Sequence, residues 1–305
     1  MLRLLLSASL ILTASIARAE EPTAKPRLIL DADTANEIDD LYAIARMMRQ
    51  DRYEVVALNS TQWVHYLNDD WLEPGQTSVE ASQKLNEDLL RLLGNQAIPH
   101  PLGSVEPVGK PWGGFEPKDS AAAQAIIQHA RDTSDGEKLS VVCLGASTNL
   151  ASAIGIAPEI APKLRCYLLG FKYDVDHDIW NKSSFNVRRD LNAADLLLNT
   201  EDLELHIMPA NVSEPLKFDR DETFARNEAL GPLGEYLSER WRYHAAHHTT
   251  RTMWDLALVE AVLRPEFAKQ RSVTTPLENT RRQVSLYTDI DEAAMQADYW
   301  QAVTP

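Results

Sequence analysis

Cysteine is nearly absent from this chain, with two residues in 305, Cys143 and Cys166. That excludes a small scaffold held by disulfides. Both cysteines sit in apolar, strand-like runs, VVCLG and RCYLLG, and read as buried packing residues. Basic charge is also scarce: 30 Lys and Arg face 45 Asp and Glu, a net charge of −15. A phosphate backbone or an anionic lipid surface would be repelled, so neither nucleic acid nor a membrane is expected as a partner. The apolar run from Leu4 to Ile16 is shorter than the about 20 residues a membrane span needs. The glycines at 94, 113 and 114 form no phosphate loop and no dinucleotide fingerprint, and neither a G-x-S-x-G elbow nor a C-x-x-C pair occurs. What is present, 44% hydrophobic and 25% charged residues, is the composition of a globular chain with a sizeable core.

Residues 1–19 read as a secretory signal peptide: Arg3, then the apolar run, then Ala17-Arg18-Ala19 as the cleavage site. The mature domain is then 20–305 and its expected location is the periplasm or the cell exterior. No cysteine stands directly after the cleavage site, which argues against a lipid anchor.

Along the mature chain, short β-branched runs alternate with longer helical stretches. Strands are expected at Arg27 to Asp33, Glu54 to Ser60, Leu139 to Gly145, Arg165 to Phe171 and Leu203 to Pro209. Helices are expected at about 39–50, 79–94, 120–133, from Asn149, and at 192–199. This order predicts an α/β fold, a single domain with a mostly parallel sheet flanked by helices, and the stretch after Asp219 predicts a C-terminal helical subdomain or lid. Ligands of such sheets bind beyond the carboxyl ends of the strands. The residues there are polar: Asp31 and Asp33, Asn59 to Thr61, Ser147 to Asn149, and Asn211.

The segment Asp31-Ala32-Asp33-Thr34-Ala35-Asn36-Glu37-Ile38-Asp39-Asp40 carries the strongest signal. Asp31 and Asp33, two apart on a strand, share a face. Asp39 and Asp40 fall in the first turn of the next helix. One reading has Asn36 capping that helix, with Glu37, Asp39 and Asp40 favouring its positive end. It leaves the strand-end pair unexplained. Carboxylates gathered beside a hydrophobic strand repel unless protons or a cation compensate, and oxygen ligands in this number favour Ca²⁺ or Mg²⁺.

These residues resemble those of the inosine-uridine-preferring nucleoside hydrolases, whose first strand ends in D-x-D followed closely by D-D, here with a loop two residues longer. The resemblance extends to Leu144-Gly145-Ala146-Ser147-Thr148-Asn149, to Phe185-Asn186-Val187 with Asp190, Ala193 and Ala194, and to Trp254-Asp255-Leu256-Ala257. It implies a nucleoside-hydrolase-like catalytic domain that cleaves the N-glycosidic bond of a small-molecule nucleoside or riboside. By the same resemblance, Ca²⁺ would be held by Asp33, Asp40, the Thr148 carbonyl and Asp255, and Asp33 would take the proton of a water that the cation acidifies. Asp39, Asn59 and Asn186 would meet the ribose, Asp31 would orient the ligands from behind, and the chain would form a homodimer or homotetramer.

The departures carry information too. The family's Glu that helps hold the 5′-hydroxyl is Ser184 here, and the His before the last metal ligand is Trp254. An indole donates no useful proton in that role, though it stacks on a planar base. Just upstream, Trp241, Tyr243, His244 and His247 are candidates for the leaving-group side. His244 with His247 or His248 has helical spacing suited to a transition metal or an acid, or to a plain solvated face. Two alternatives stand beside the nucleosidase: a non-catalytic periplasmic sugar- or nucleoside-binding protein, and a hydrolase of a different glycoside. The tryptophans at 63, 71, 112 and 180 read chiefly as packing residues, with Trp180 near enough to Phe185 and Asn186 to line a pocket.

Overall fold

The computed structural model describes residues 25–63, 72–110 and 112–305, so the leader at 1–19 and Trp71 lie outside the described residues. In chain order the elements are β1 (Arg27–Ala32), α1 (Asp39–Met48), β2 (Glu54–Ser60), α2 (Ser78–Leu93), α3 (Ala121–Arg131), β3 (Leu139–Cys143), α4 (Thr148–Ile156), β4 (Leu164–Leu169), β5 (Lys172–Asp174), β6 (Ile179–Asn181), α5 (Phe185–Arg189), α6 (Leu191–Asn199), β7 (Glu204–Met208), α7 (Ala210–Ser213), β8 (Lys217–Asp219), α8 (Arg220–Asn227), α9 (Pro232–His244), β9 (Thr250–Thr252), α10 (Trp254–Leu263), β10 (Ala268–Thr274), β11 (Gln283–Ile290) and α11 (Glu292–Val303).

Local chemistry sets several boundaries. Thr77 and Glu80 form a reciprocal capping box at the start of α2, and Gly94 ends that helix in the left-handed region, where a side chain is disfavoured. Ser120 caps α3 through the Ala123 amide, and Asp190 caps α6 through that of Ala193.

Seven strands form one sheet in the order β10-β11-β7-β4-β3-β1-β2, parallel except for the edge strand β10, which runs antiparallel to β11. The central strands are apolar on both faces, β3 being buried at every position, as a sheet covered on both sides requires. One core joins α1, α9, α10 and α11 to the sheet; the other lies on the opposite face under α3, α4 and α6. The helical stretch expected after Asp219 is present as α8, α9 and α10, and it shares the first of these cores. Among the described residues no helix is long and apolar enough to cross a membrane.

Both cysteines are free and buried in adjacent strands. Of the tryptophans, Trp63 is buried, Trp112 is exposed, and Trp180 packs edge-on against Phe171 and Tyr173. The sequence pattern missed β10 and β11 and the short pairs β5-β6 and β8-β9. Only one residue of β10 is buried, so it lacks the apolar signature by which strands are recognised.

Candidate active site

β1 and β3 end side by side, and the loops leaving them enclose a cavity of about 470 Å³ with contributions from β4, α5, α7, β9 and α10. Asp33, Asp39, Asp40 and Asp255 stand on its wall. All four are almost fully buried. Asp39 and Asp40 open α1 and Asp255 lies in the first turn of α10, so two helix N-termini converge on one point. The positive ends of both helices favour carboxylates there. Asp39 also accepts the backbone N–H of Asp255 at 3.1 Å, filling a donor that the first turn of α10 leaves open. Asn36 is not the helix cap: Ile38 holds that position and makes no side-chain capping bond, while the Asn36 amide closes a turn onto the Asp33 carbonyl at 2.8 Å.

Carboxylate oxygens of Asp39, Asp40 and Asp255 lie within 4.8 Å of one another, a buried triad that could bind a metal ion. Among the described residues, both oxygens of Asp40, Oδ2 of Asp33 and Oδ1 of Asp255 are buried without a hydrogen-bond partner. Buried carboxylate oxygens left unpaired are costly, and an oxygen-only donor set of this size suits a hard divalent cation. Burial pushes the Asp33 carboxyl up to about 8, aided by the charge of Asp39. Asp39 is raised to about 6, again chiefly by burial. Asp40 and Asp255 are raised well above the ordinary range by burial and by their acidic neighbours.

Further residues hold this wall from behind. Asp31 is fully buried and accepts from Asn149 Nδ2 at 2.9 Å; burial lifts its carboxyl to about 7. Asn59 faces Asp31 across the β1-β2 register and does not line the cavity. Thr148, also off the cavity wall, begins α4 and is tied through its hydroxyl to Asp190 at 2.7 Å. Gly145 is required by close approach: a Cβ there would sit 2.7 Å from Cγ of Asp33 and 2.6 Å from Cγ2 of Thr61.

Asn186 donates to the carbonyls of Leu144 and Leu169, which pins it to the ends of β3 and β4 at the cavity wall. Trp254, half-buried, lines the cavity beside Asp255. Of the upstream aromatic and histidine cluster, Trp241 is in the core with its indole N–H on the His248 carbonyl, and Tyr243 is exposed. Neither these two nor His244 and His247 line the cavity among the described residues. α9 ends at His244, so the helical spacing to His247 and His248 is not realised. Burial and the neighbouring Arg240 push His244 down to about 4, which keeps it neutral at physiological pH.

Sequence reading missed the cations of the wall, Lys172, Arg188 and Arg251, and the ion pair that Arg251 makes with Glu37 beside the acidic residues. Only the fold brings β9 against the loop after β1, so no local pattern announced that pair.

A buried oxygen-ligand site at the carboxyl ends of a parallel sheet defines the class: an α/β protein built to hold a polar small molecule against clustered carboxylates. Residues 28–301 match the model of the inosine-uridine preferring nucleoside hydrolase family, and the chain belongs to that family. It is accordingly an N-glycosyl hydrolase of the nucleosidase type. A probable uridine nucleosidase of Arabidopsis thaliana is 25% identical over 252 residues, which are 74% of this chain and 72% of that protein. Among solved structures, an inosine-guanosine nucleoside hydrolase superposes with a TM-score of 0.70 at 19% identity, covering 92% of this chain and 99% of that one. A purine-preferring ribonucleoside hydrolase from Gardnerella vaginalis gives 0.66 at 17% identity, covering 91% and 98%.

Proposed function

We propose that this protein is an exported, calcium-dependent hydrolase that splits ribonucleosides into ribose and free base with Asp33 as the general base. The observation that carries the reading is the set of buried, unpartnered carboxylate oxygens on Asp33, Asp40 and Asp255 at one cavity wall. Asp33, Asp40, Asp255 and the Thr148 carbonyl would hold the cation, which supplies positive charge that acidifies water. Asp33 accepts the proton as the water oxygen bonds to C1′ and the C1′–N bond breaks; the departing nitrogen takes up one proton. Positive charge grows on the sugar in this transition state, and the surrounding carboxylates stabilise it. Asp39 and Asn186 bind ribose hydroxyls, Asn59 and Asp31 brace the floor, and Trp254 stacks on the base. Export rests on the leader at 1–19. Reducing-sugar release from purine and pyrimidine ribonucleosides, with calcium and with chelator, tests the reading: calcium-dependent release supports it, and no release from any nucleoside sinks it.

The acid–base chemistry of the wall gives a pH prediction. In the cation-free protein Asp33 and Asp39 are raised from 3.8 to about 8 and about 6. Folding therefore takes up protons: the stability these groups contribute is complete below 3.8 and is lost as pH rises through 6 to 8. A cation must displace those protons, so its affinity rises over the same interval. Calcium should accordingly raise the melting temperature more at pH 8 than at pH 5.5, as scanning fluorimetry would show; an equal shift at both would contradict this linkage.

Gly145→Ala tests the close approach to Asp33. Displacing a reacting group by about 1 Å can cost about 10²-fold, and kcat/KM should fall by that order. Unchanged kcat/KM would show that Asp33 tolerates the added methyl group.

A further inference from the structure

The cavity is electrically divided. Asp33, Asp39, Asp40 and Asp255 make one side acidic, while Lys172 and Arg188 stand on the part of the wall built by β5 and α5. Among the described residues neither of these two cations makes an ion pair. Arg251, by contrast, is neutralised by Glu37. The other carboxylate of the outer wall is Glu214, so two cations face one anion there.

This part of the wall is tied down by hydrogen bonds on both sides of Lys172. Phe171, fully buried, has φ of 62°, a left-handed conformation that a bulky residue adopts only when its surroundings enforce it. Its carbonyl accepts the Ala210 amide at 3.0 Å. On the other side of Lys172, Tyr173 exchanges two hydrogen bonds with the Asn211 side chain, each 2.9 Å. Lys172 is thus presented from a backbone fixed on both sides. The same cavity is lined by Ser184, 5% exposed, whose hydroxyl does not cap α5 and has no hydrogen-bond partner among the described residues. A buried hydroxyl facing a polar cavity without a partner is a position waiting for a ligand oxygen.

We propose that Lys172, Arg188 and Ser184 form a subsite for a phosphate ester on the exocyclic carbon of the sugar, so that the preferred substrate class is nucleoside 5′-monophosphates. The proposal rests on the nucleosidase reading for the orientation of the sugar. A ribose whose vicinal hydroxyls face the carboxylates has its exocyclic carbon on the opposite side of the ring. A phosphate carries nearly two negative charges and three strong acceptor oxygens, which match a point cation, a guanidinium fork and a hydroxyl donor. The same charge is repelled by the carboxylates, so the division of charge fixes which end of the substrate enters first.

The test compares base release from uridine and adenosine with that from their 5′-monophosphates in the presence of calcium, together with calorimetric binding of ribose 5-phosphate, ribose and inorganic phosphate. The ratio of kcat/KM, monophosphate over nucleoside, should be about tenfold or more, since a charge-assisted hydrogen bond supplies that much. It should collapse in the Lys172→Ala/Arg188→Ala variant, survive in Lys172→Arg, and rise in Glu214→Gln. Both cations are exposed, so their removal leaves the core untouched. Nucleosides cleaved as well as their monophosphates, or a ratio unmoved by the double variant, would overturn the subsite and leave the nucleosidase reading standing. If neither substrate is cleaved, that reading fails and binding decides: ribose 5-phosphate held more tightly than ribose, and released by the double variant, upholds the subsite. Equal binding of the two, or inorganic phosphate binding as tightly as the ester, overturns it.

Discussion

Replacing Asp33 by asparagine is expected to lower base release by about 10²- to 10⁴-fold, the range a positioned general base contributes, while the cation-free protein becomes more stable at pH 8. Both effects have one cause. Asp33 is buried among carboxylates, and its own is raised to about 8 by that burial and by the charge of Asp39. Ionised without a cation it is a cost to the fold; in the proposed mechanism, ionised beside one, it accepts a proton. Asparagine keeps the shape and removes the charge. Melting curves in chelator should therefore favour the variant at pH 8 and converge with those of the wild type at pH 5, where the native carboxyl is protonated. Retained activity in Asp33→Asn would remove the residue from the chemistry. Lost activity together with lost stability would mean a structural role.

The second large effect concerns the opposite ends of the helices that carry the acidic residues. Arg46, 3% exposed, donates to Glu260 at 2.8 Å and to Asp298 at 2.5 Å, and Arg264 joins Asp298 at 3.0 Å. This network ties α1 to α10 and α11. Glu260 is fully buried, which pushes its carboxyl up to about 8. Arg46→Ala leaves that carboxylate without its cation, and breaking a buried pair in this way costs about 3–5 kcal/mol. Chemical denaturation at pH 9, above the raised value of Glu260, should show a loss of that size, shrinking below pH 8 as Glu260 takes a proton. Converting both partners, as in Arg46→Met/Glu260→Leu, should recover most of it, because no charge then remains buried. The same clamp sets the relative position of α1 and α10, whose first turns present Asp39, Asp40 and Asp255. Calcium affinity should therefore fall in Arg46→Ala although the substitution lies far from the cavity along both helices. A loss below about 1 kcal/mol, the worth of an exposed pair, would show that the network is not buried in solution.

Much of this architecture is legible in the residues. The Asp31-x-Asp33 pair at the end of an apolar run, the acidic helix start at Asp39 and Asp40, and the Trp254-Asp255 start of α10 are local patterns, and the family resemblance joins them into one wall. The parallel sheet follows from the alternation of short β-branched runs with longer helical ones. What remained hidden depends on tertiary placement. β10 is an exposed edge strand with little apolar content, and it forms because β11 offers a ladder. Gly145 looks like any loop glycine until the Asp33 side chain is seen where its Cβ would be. Lys172 and Arg188 resemble ordinary surface cations in sequence; the left-handed Phe171 and the Asn211 bridge to Tyr173 put the first of them on the cavity wall. In the other direction, the histidines at 244, 247 and 248 suggest a helical cluster, and the end of α9 at His244 separates them.

The most direct test of the central claim is product analysis in phosphate-free buffer with calcium, separating free base and quantifying ribose from uridine, inosine and their 5′-monophosphates. Base and the corresponding ribose or ribose 5-phosphate in equal amounts, abolished by chelator and by Asp33→Asn, is the result expected of a hydrolase that activates water at this acidic wall. Base release that requires added inorganic phosphate, or no base from any of these compounds while calcium binding is intact, would contradict it.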